Sequence, residues 1–144
     1  MDKAGKGPRL VGYVPGAWDM FHIGHLNILK RARENCDWLV VGVVTDEALF
    51  EMKNKYPIVP LSERLEIVEA IGIVDSAVID HSPNKLEVWE TVHFDVLFKG
   101  DDWRGTPKGQ RLESEMATVG VRVHYFPYTA QTSSTELRRA LAID

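Results

Sequence analysis

The chain has almost no cysteine and no long apolar run. Only one of its 144 residues is cysteine, Cys36, so an intrachain disulfide is excluded. The first residues lack the apolar stretch of a secretory signal. The longest apolar run, Trp38–Val44, has the length of a strand and is far short of a membrane span. These absences predict a cytoplasmic protein with no membrane span.

Positive charge is also scarce. The 17 lysines and arginines are outnumbered by 21 aspartates and glutamates, which gives a formal net charge of −4. Such a chain has no overall attraction to nucleic acid, so an anionic ligand must be bound by a local cluster of donors. The balance therefore predicts a small-molecule ligand and no nucleic-acid partner.

The composition is that of a folded domain. The chain is 44% hydrophobic and 26% charged, which is ordinary for a globular protein, and its length suffices for one hydrophobic core. Residues 1–8 are polar and rich in helix and strand breakers, so we expect a flexible N-terminal tail followed by a single domain over residues 9–144.

Short apolar runs alternate with helical patterns along the chain. The predicted strands span residues 10–14, 38–45, 77–80, 96–99 and 121–125. The predicted helices span residues 24–34, 61–71, 86–92, 109–119 and 135–142. This alternation predicts an α/β fold, a five-stranded parallel sheet with helices on both faces and a ligand site at the carboxyl ends of the strands.

A histidine pair follows the first predicted strand. The segment His22-Ile23-Gly24-His25 leads into an amphipathic helix. A helix N-terminus favours an anion, and Gly24 has no side chain to block a phosphate. Imidazoles three residues apart can donate hydrogen bonds to oxygens that gain charge as pyrophosphate leaves. The segment therefore predicts electrostatic catalysis of phosphoryl chemistry without a covalent intermediate.

Two other interpretations of the histidine pair are available from the motif alone. A zinc site needs more ligands, and Cys36 lies on the far side of the helix with no second cysteine in the chain. A helix-capping pair with no chemical role stays open. The position between a glycine-containing strand end and a helix favours the catalytic interpretation.

Two lysines lie in a segment predicted to be a loop. Lys53 and Lys55 occur within residues 51–57, a polar stretch that ends in proline. A loop of this kind can close over a substrate and bring cations to its phosphates. Two solvated surface lysines are the alternative, because most lysines are exposed.

A run of hydroxyl side chains precedes the last predicted helix. One hydroxyl of this run is expected to cap the helix while the others and the backbone amides bind phosphate, and capping alone is the alternative. The run consists of Thr132, Ser133, Ser134 and Thr135.

Acidic residues also lie near the predicted strand ends. Asp101 and Asp102 follow the fourth strand, where ligand contacts are common, and Trp103 offers a flat face for a base or for packing. Asp19 is a candidate magnesium ligand, although Mg²⁺ usually keeps several waters and binds mainly to substrate phosphates.

Taken together, these segments resemble the H-x-G-H nucleotidyltransferases, in particular the cytidylyltransferases acting on glycerol 3-phosphate, phosphoethanolamine and phosphocholine. Residues 16–19 are similar to the family's G-T-F-D, and residues 61–64 to its E-x-R helix start. Residues 99–103 are similar to M-G-D-D-W of the glycerol 3-phosphate branch, and residues 132–135 fall where I-S-T-T is expected. The resemblance covers about residues 9–141.

The resemblance implies a Rossmann-like domain, usually a homodimer, that uses Mg²⁺ and a nucleoside triphosphate. The acceptor phosphate would attack the α-phosphate in line and release pyrophosphate. The branch implies CTP as donor and a phosphorylated small alcohol such as glycerol 3-phosphate as acceptor. An adenylyltransferase or cytidylyltransferase for a sugar phosphate, a phosphonate or FMN is the second interpretation. A nucleotide-binding module without turnover is the third.

The resemblance also implies residue roles. His22 and His25 would contact the nucleotide phosphates and stabilise the transition state, Lys55 would bind the triphosphate and Lys53 would face the acceptor phosphate. The nucleotide site would be formed by Gly16, Ala17, Trp18, Asp19, His22, Gly24, His25, Lys55, Asp102, Tyr128, Thr132, Ser133, Ser134 and Thr135.

The sequence departs from the family at two arginines. Gly72 and Tyr128 stand where the branch carries arginine, and neither offers a planar fork for phosphate. Candidate replacements are Lys85, Arg104 and Lys108, and we assign Lys85 to the acceptor site. The departures predict an unchanged catalytic frame with an altered acceptor pocket.

Overall fold

The structure is a computed structural model that describes residues 9–81, 83–127 and 134–141. Its five strands form one parallel sheet in the order β3-β2-β1-β4-β5. The strands are β1 (Val11–Gly16), β2 (Trp38–Val44), β3 (Ser76–Asp80), β4 (Val96–Gly100) and β5 (Arg122–Phe126). The predicted five-stranded parallel α/β fold is confirmed.

Helices connect the strands and cover both faces of the sheet. They are α1 (Ile23–Glu34), α2 (Asp46–Lys53), α3 (Leu61–Glu69), α4 (Lys85–Val92), α5 (Pro107–Ala117) and α6 (Ser134–Ala140), with a 3-10 turn at Asp101–Trp103. None of the helices in the described ranges is long and apolar enough to cross a membrane.

The helix α2 corrects the predicted loop over residues 51–57. Thr45 caps this helix by accepting a hydrogen bond from the amide of Ala48 at 3.0 Å. Asp46 lies in the first turn and Lys53 in the last, the arrangement that the helix dipole favours. Lys53 is therefore helical, and only the part of the predicted loop after α2 is irregular.

Alternating side chains of the central strands build the two halves of the core. Val41 of β2 packs on one face with Leu29 of α1 and Val68 of α3. Tyr13 of β1 packs on the opposite face, in the cluster that contains Met116 of α5. Helices α1 and α3 thus pack on one side of the sheet and α5 on the other.

The strand order reverses at the centre of the sheet. Strand β1 pairs with β2 on one side and with β4 on the other, so the chain runs from β1 through β2 to one edge of the sheet and then from β4 to β5 at the other edge. In an open α/β sheet, a crevice forms outside the carboxyl ends of the strands at such a point. Gly16 ends β1 and Gly100 ends β4, so the loops after these two residues border the crevice.

Candidate active site

Two adjoining cavities occupy the crevice. We call them the histidine cavity, of about 520 Å³, which His22 and His25 line, and the lysine cavity, of about 460 Å³, which Lys85 lines. Both volumes fall within the range of about 300 to 1,000 Å³ that is usual for small-molecule sites. The residues that line both cavities are Pro15, Gly16, Ala17, Leu49, Lys53, Lys99 and Asp102. The cavities therefore share a wall at the ends of β1 and β4.

The histidine pair forms a reciprocal cap on α1. His22 Nδ1 accepts a hydrogen bond from the amide of Gly24 at 3.0 Å, and the amide of His22 donates to His25 Nδ1 at 3.2 Å. The two rings stack with their centroids 3.9 Å apart. Because a backbone amide only donates, both Nδ1 atoms lack a proton, and each neutral ring carries its proton on Nε2. The cap thus supplies the histidine cavity with two N–H donors of fixed tautomer.

Burial keeps this pair uncharged. It lowers the pKa of His25 to about 4, an effect that the neighbouring His22 adds to and Asp19 opposes. Burial also lowers the pKa of His22. Both imidazoles are therefore neutral at pH 7 in the free protein, and they act on an anion as oriented dipoles.

Asp19 fastens the segment that carries Lys55. The Asp19 carboxylate is buried and accepts hydrogen bonds at 2.9 Å from the amides of Ile58 and Val59. Arg138 of α6 donates to the same carboxylate at 3.2 Å and to the carbonyl of Tyr56 at 3.1 Å. Asp19 and Arg138 thus tie this segment and α6 to the end of β1.

The surroundings of Asp19 do not form a cage for a metal ion. The carboxylate contacts two amides and a guanidinium, and the described residues contain no group of three histidine, cysteine, aspartate or glutamate side chains that could hold an ion. These residues do not fit a magnesium ion bound mainly by protein ligands. Mg²⁺ that arrives on a triphosphate needs few protein ligands, and the histidine cavity has room for such a substrate.

Arg64 holds the backbone next to the shared wall through hydrogen bonds. Its side chain is completely buried and donates to the carbonyls of Ala17 at 2.7 Å and Val44 at 2.8 Å. It also donates to the carbonyl of Val59 at 2.8 Å and to Asp46 at 2.5 Å. Arg64 therefore joins the end of β1, the start of α2 and the segment after α2 that carries Lys55 and Val59.

Trp18 lines the histidine cavity from the core side. The side chain is 4% exposed, and its Nε1 donates to the carbonyl of Gly42 at 2.9 Å. The indole meets the His25 ring edge to face, with 5.4 Å between centroids. Its placement supports the imidazole and leaves little of the indole exposed to a ligand.

A buried network supports the lysine cavity. Lys85 is 6% exposed, and its Nζ lies 2.9 Å from Asp80 Oδ2. The Tyr13 hydroxyl donates to the same oxygen at 2.6 Å. Burial and the Asp80 charge raise the pKa of Tyr13, so its hydroxyl keeps the proton that it donates. The network holds the Lys85 ammonium at the cavity wall.

Lys99 is a half-buried cation at the end of β4. Its Nζ lies 3.9 Å from the centroid of the Trp103 ring. Burial lowers the pKa of Lys99 to about 8. Asp102 opposes that shift, and the nearby Lys53, Lys85 and Lys108 add to it.

The structure brings most of the predicted site residues together. Gly16, Ala17, Lys53 and Asp102 lie on the shared wall. Lys55 lines only the histidine cavity, whereas Lys85 lines only the lysine cavity. Gly24 is buried in the first turn of α1.

Other predicted residues lie elsewhere. Tyr128, Thr132 and Ser133 are outside the described residues, as are the side chains of Ser134 and Thr135 and the predicted tail over residues 1–8. Gly72 lines neither cavity, and a Cβ at this position would meet no atom within 4 Å. Of the other two candidate replacements, Lys108 lines the lysine cavity, whereas Arg104 lines neither.

Sequence reasoning missed Lys99 and Arg138. Lys99 was available as the first residue of the segment similar to M-G-D-D-W, where it replaces the methionine. Arg138 follows the hydroxyl run on α6 at a spacing of one helical turn, which places a cation beside the phosphate site predicted there. Both line the histidine cavity.

This chain is similar to proteins of one known family. A family model described as cytidylyltransferase-like matches residues 13–140. The bifunctional protein HldE of Koribacter versatilis (strain Ellin345) is 36% identical over 123 residues, which are 85% of this chain and 25% of that protein. The ethanolamine-phosphate cytidylyltransferase of Arabidopsis thaliana is 34% identical over 131 residues, 87% of this chain and 30% of the relative. The chain thus spans less than a third of the length of either protein.

A solved structure shares the fold. The lipopolysaccharide core biosynthesis protein from Thermoplasma volcanium GSS1 superposes with a TM-score of 0.72 at 24% sequence identity. The match covers 87% of this chain and 100% of that chain, so all of that solved structure has a counterpart in this chain.

Proposed function

The chain belongs to the cytidylyltransferase-like family, and from this premise we propose that it transfers CMP from CTP to a phosphorylated small alcohol such as glycerol 3-phosphate, releasing pyrophosphate. The observation that carries the proposal is the pair of adjoining cavities. The histidine cavity contains two neutral N–H donors at a helix N-terminus, both cavities are lined by cations, and the two share one wall.

In the proposed reaction the triphosphate occupies the histidine cavity. An oxygen of the acceptor phosphate attacks the α-phosphorus, and the bond from that phosphorus to the pyrophosphate oxygen breaks. Negative charge grows on the leaving pyrophosphate, where the Nε2–H groups of His22 and His25 donate hydrogen bonds. These donors are oriented by the cap before the reaction begins, so little reorganisation accompanies the charge shift.

Cations divide between the two substrates in this proposal. Lys55 and Arg138 line only the histidine cavity and bind the triphosphate, which enters with Mg²⁺ on its phosphates. Lys53 lies on the shared wall and faces the acceptor phosphate, and Lys85 binds the acceptor in the lysine cavity. The resemblance also supports a homodimer.

A second candidate keeps the chemistry and changes the acceptor. The lysine cavity of about 460 Å³ has room for an acceptor larger than a three-carbon alcohol phosphate, which favours a sugar phosphate as the alternative. The intact histidine pair and both lysines argue against a binding module without turnover.

The test is a matrix of substrates. The protein is incubated with Mg²⁺, each of the four nucleoside triphosphates and a panel of phosphorylated acceptors, and pyrophosphate is measured. We expect release with CTP and glycerol 3-phosphate. Release only with a sugar phosphate or only with ATP would move the assignment to the second candidate. Nucleotide-dependent protection against heat without release from any pair would contradict the proposal.

A further inference from the structure

The lysine cavity concentrates positive charge in a chain that is acidic overall. Its walls carry more cations than carboxylates, although the whole sequence has a net charge of −4. The cations are Lys53, Lys85, Lys99, Lys108 and Arg111, and the carboxylates are Glu51, Asp102 and Glu115. Such a local excess suits a ligand that carries more than one negative charge.

Stability alone does not explain why a lysine is buried at position 85. A buried ion pair loses the hydration of both groups, and well-packed apolar residues often replace such a pair without loss of stability. Here Asp80 is 1% exposed and Lys85 6%, yet Lys85 lines a cavity large enough for a substrate. The Tyr13 hydroxyl also holds Asp80, so the ammonium has a defined position before any ligand binds.

Lys99 lies where the two cavities meet. It lines both, and its ammonium packs on the face of Trp103, which limits the motion of a long side chain. It replaces the methionine of the M-G-D-D-W pattern, so this cation is a departure from the glycerol 3-phosphate branch. Gly72, at one of the positions where the branch carries arginine, lines neither cavity. The cations Lys85 and Lys99 instead come from α4 and β4.

We propose, building on the function proposed above, that Lys85 and Lys99 form a lysine pair that binds the acceptor phosphate as a dianion. Lys99 contacts the phosphate where it meets the nucleotide, and Lys85 contacts it from inside the lysine cavity. Asp80 and Tyr13 are positioning residues for Lys85, and Trp103 is one for Lys99. The pair selects phosphate monoesters over diesters, because a diester carries one negative charge for the two ammonium groups.

The first test separates the two substrates kinetically. In Lys85→Met and Lys99→Met, we expect KM for the acceptor to rise about tenfold or more, because each loses a charge-assisted hydrogen bond, and KM for CTP to stay within about twofold in Lys85→Met, since Lys85 lines only the lysine cavity. Lys55→Met is the matched variant, since Lys55 lines only the histidine cavity, and it should raise KM for CTP instead. Lys30→Met, an exposed position on α1, should change neither constant.

The positioning residues have their own readout. Asp80→Asn keeps the shape of the side chain and removes the charge that holds Lys85, so KM for the acceptor should rise while KM for CTP is kept. Lys99→Arg restores a cation on Trp103 and should recover part of the affinity that Lys99→Met loses. If Asp80 had only a structural role, its substitution would lower the melting temperature and leave both KM values unchanged.

The second test does not require turnover. Methyl phosphate and dimethyl phosphate are titrated into the full chain without nucleotide, and binding is followed by amide chemical shifts in nuclear magnetic resonance spectra. Methyl phosphate should bind at least about tenfold more tightly than dimethyl phosphate, and this preference should disappear in Lys85→Met and Lys99→Met but persist in Lys55→Met and Lys30→Met.

The outcomes distinguish this inference from the proposed function. Turnover with unchanged acceptor KM in both lysine variants would overturn the lysine pair and leave the function intact. Absence of turnover in the wild-type protein, with the lysine-dependent preference for methyl phosphate retained, would overturn the proposed function alone. Equal binding of the two phosphates by every folded variant would overturn the lysine pair.

Discussion

The side chains of His22 and His25 hold each other in one tautomer through the backbone of α1. Each Nδ1 accepts from an amide, so each Nε2 is left as the donor. The charge of an imidazolium is not needed for this arrangement, and protonation of His25 Nδ1 would remove the acceptor that the His22 amide uses. The pair is therefore built to work in its neutral form.

The neutral form predicts the shape of the pH profile. The pKa of His25 is lowered to about 4 and that of His22 is lowered below its usual value, so neither group changes charge near pH 7. With saturating acceptor, kcat/KM for CTP should stay level from about pH 6.5 to 7.5, since it reports the groups that titrate before CTP binds, and the pKa values of both imidazoles are lowered. Loss of activity as pH rises through about 6.5 would contradict this account, because it would require a protonated imidazole.

Removing either imidazole should affect turnover more than binding. In His22→Ala and His25→Ala, we expect kcat to fall by about two or more powers of ten with a modest loss of nucleotide affinity, because the donors act on charge that develops in the transition state. Rates come from pyrophosphate release and affinities from nucleotide titration. Near-normal rates in both variants would show that the pair only caps the helix.

Lys99 predicts an alkaline limb in acceptor use. Its pKa is lowered to about 8, so the group is charged below that pH and becomes neutral above it. The groups that face it are Trp103, the carboxylate of Asp102 and the ammonium groups of Lys53, Lys85 and Lys108. An anion binds the charged form, so kcat/KM for the acceptor should decline as pH rises through about 8. A wild-type limb that persists unchanged in Lys99→Met would assign the titration to another group.

At the scale of elements, the crevice depends on close contacts between neighbouring strands. The Tyr13 ring on β1 crosses Gly42 on β2 to reach Asp80 at the end of β3, and a Cβ at Gly42 would lie 1.9 Å from the Tyr13 hydroxyl oxygen. Tyr13 must therefore move if Gly42 acquires a side chain, and the support of Lys85 moves with it.

This contact makes Gly42→Ala a test of the network. The substitution should destabilise the protein by about 1 to 3 kcal/mol through overpacking, which urea unfolding measures, and it should raise KM for the acceptor. Gly72→Ala is the matched control, because a Cβ at Gly72 meets no atom within 4 Å. Equal unfolding midpoints for the two variants would contradict the assigned role of Gly42.

Much of this architecture could be predicted from the sequence, and the misses have physical causes. Periodicity identified the five strands because their apolar runs are bounded by turns. Helix α2 was missed because it is short, although Thr45 followed by Asp46 and Glu47 is a typical helix start. The contact of Arg64 with carbonyls 5 to 47 residues away was not predictable, since no local pattern encodes which distant carbonyls lack a donor.

In the site, too, features set by local sequence could be predicted, whereas features that depend on distant contacts could not. The position of His22 and His25 at the crevice could be predicted because strand, motif and helix are contiguous, so local geometry decides where the two side chains lie. Lys85 begins α4 and Lys99 lies near the end of β4, so no local pattern predicts that the two ammonium groups line one cavity. The neutral state of the histidines could not be inferred either, because it depends on burial by the folded chain.

At the scale of the whole molecule, the sheet reversal at β1 creates one crevice, and residues from both halves of the sheet divide it into two cavities. The wall at the ends of β1 and β4 lies between the histidine cavity, where two neutral donors accompany the cations, and the lysine cavity. An acceptor phosphate in the second cavity would meet a triphosphate in the first across Lys53 and Lys99. We therefore expect direct transfer between substrates that are bound in the two cavities.

Phosphorus nuclear magnetic resonance of the protein with Mg²⁺, CTP and glycerol 3-phosphate tests this direct transfer. We expect a diphosphate diester signal and a pyrophosphate signal to grow together in equal amounts, and neither to grow in folded His22→Ala on the same timescale. Release of pyrophosphate without the diester, or no diester from any of the four nucleotides with any phosphorylated acceptor, would contradict it.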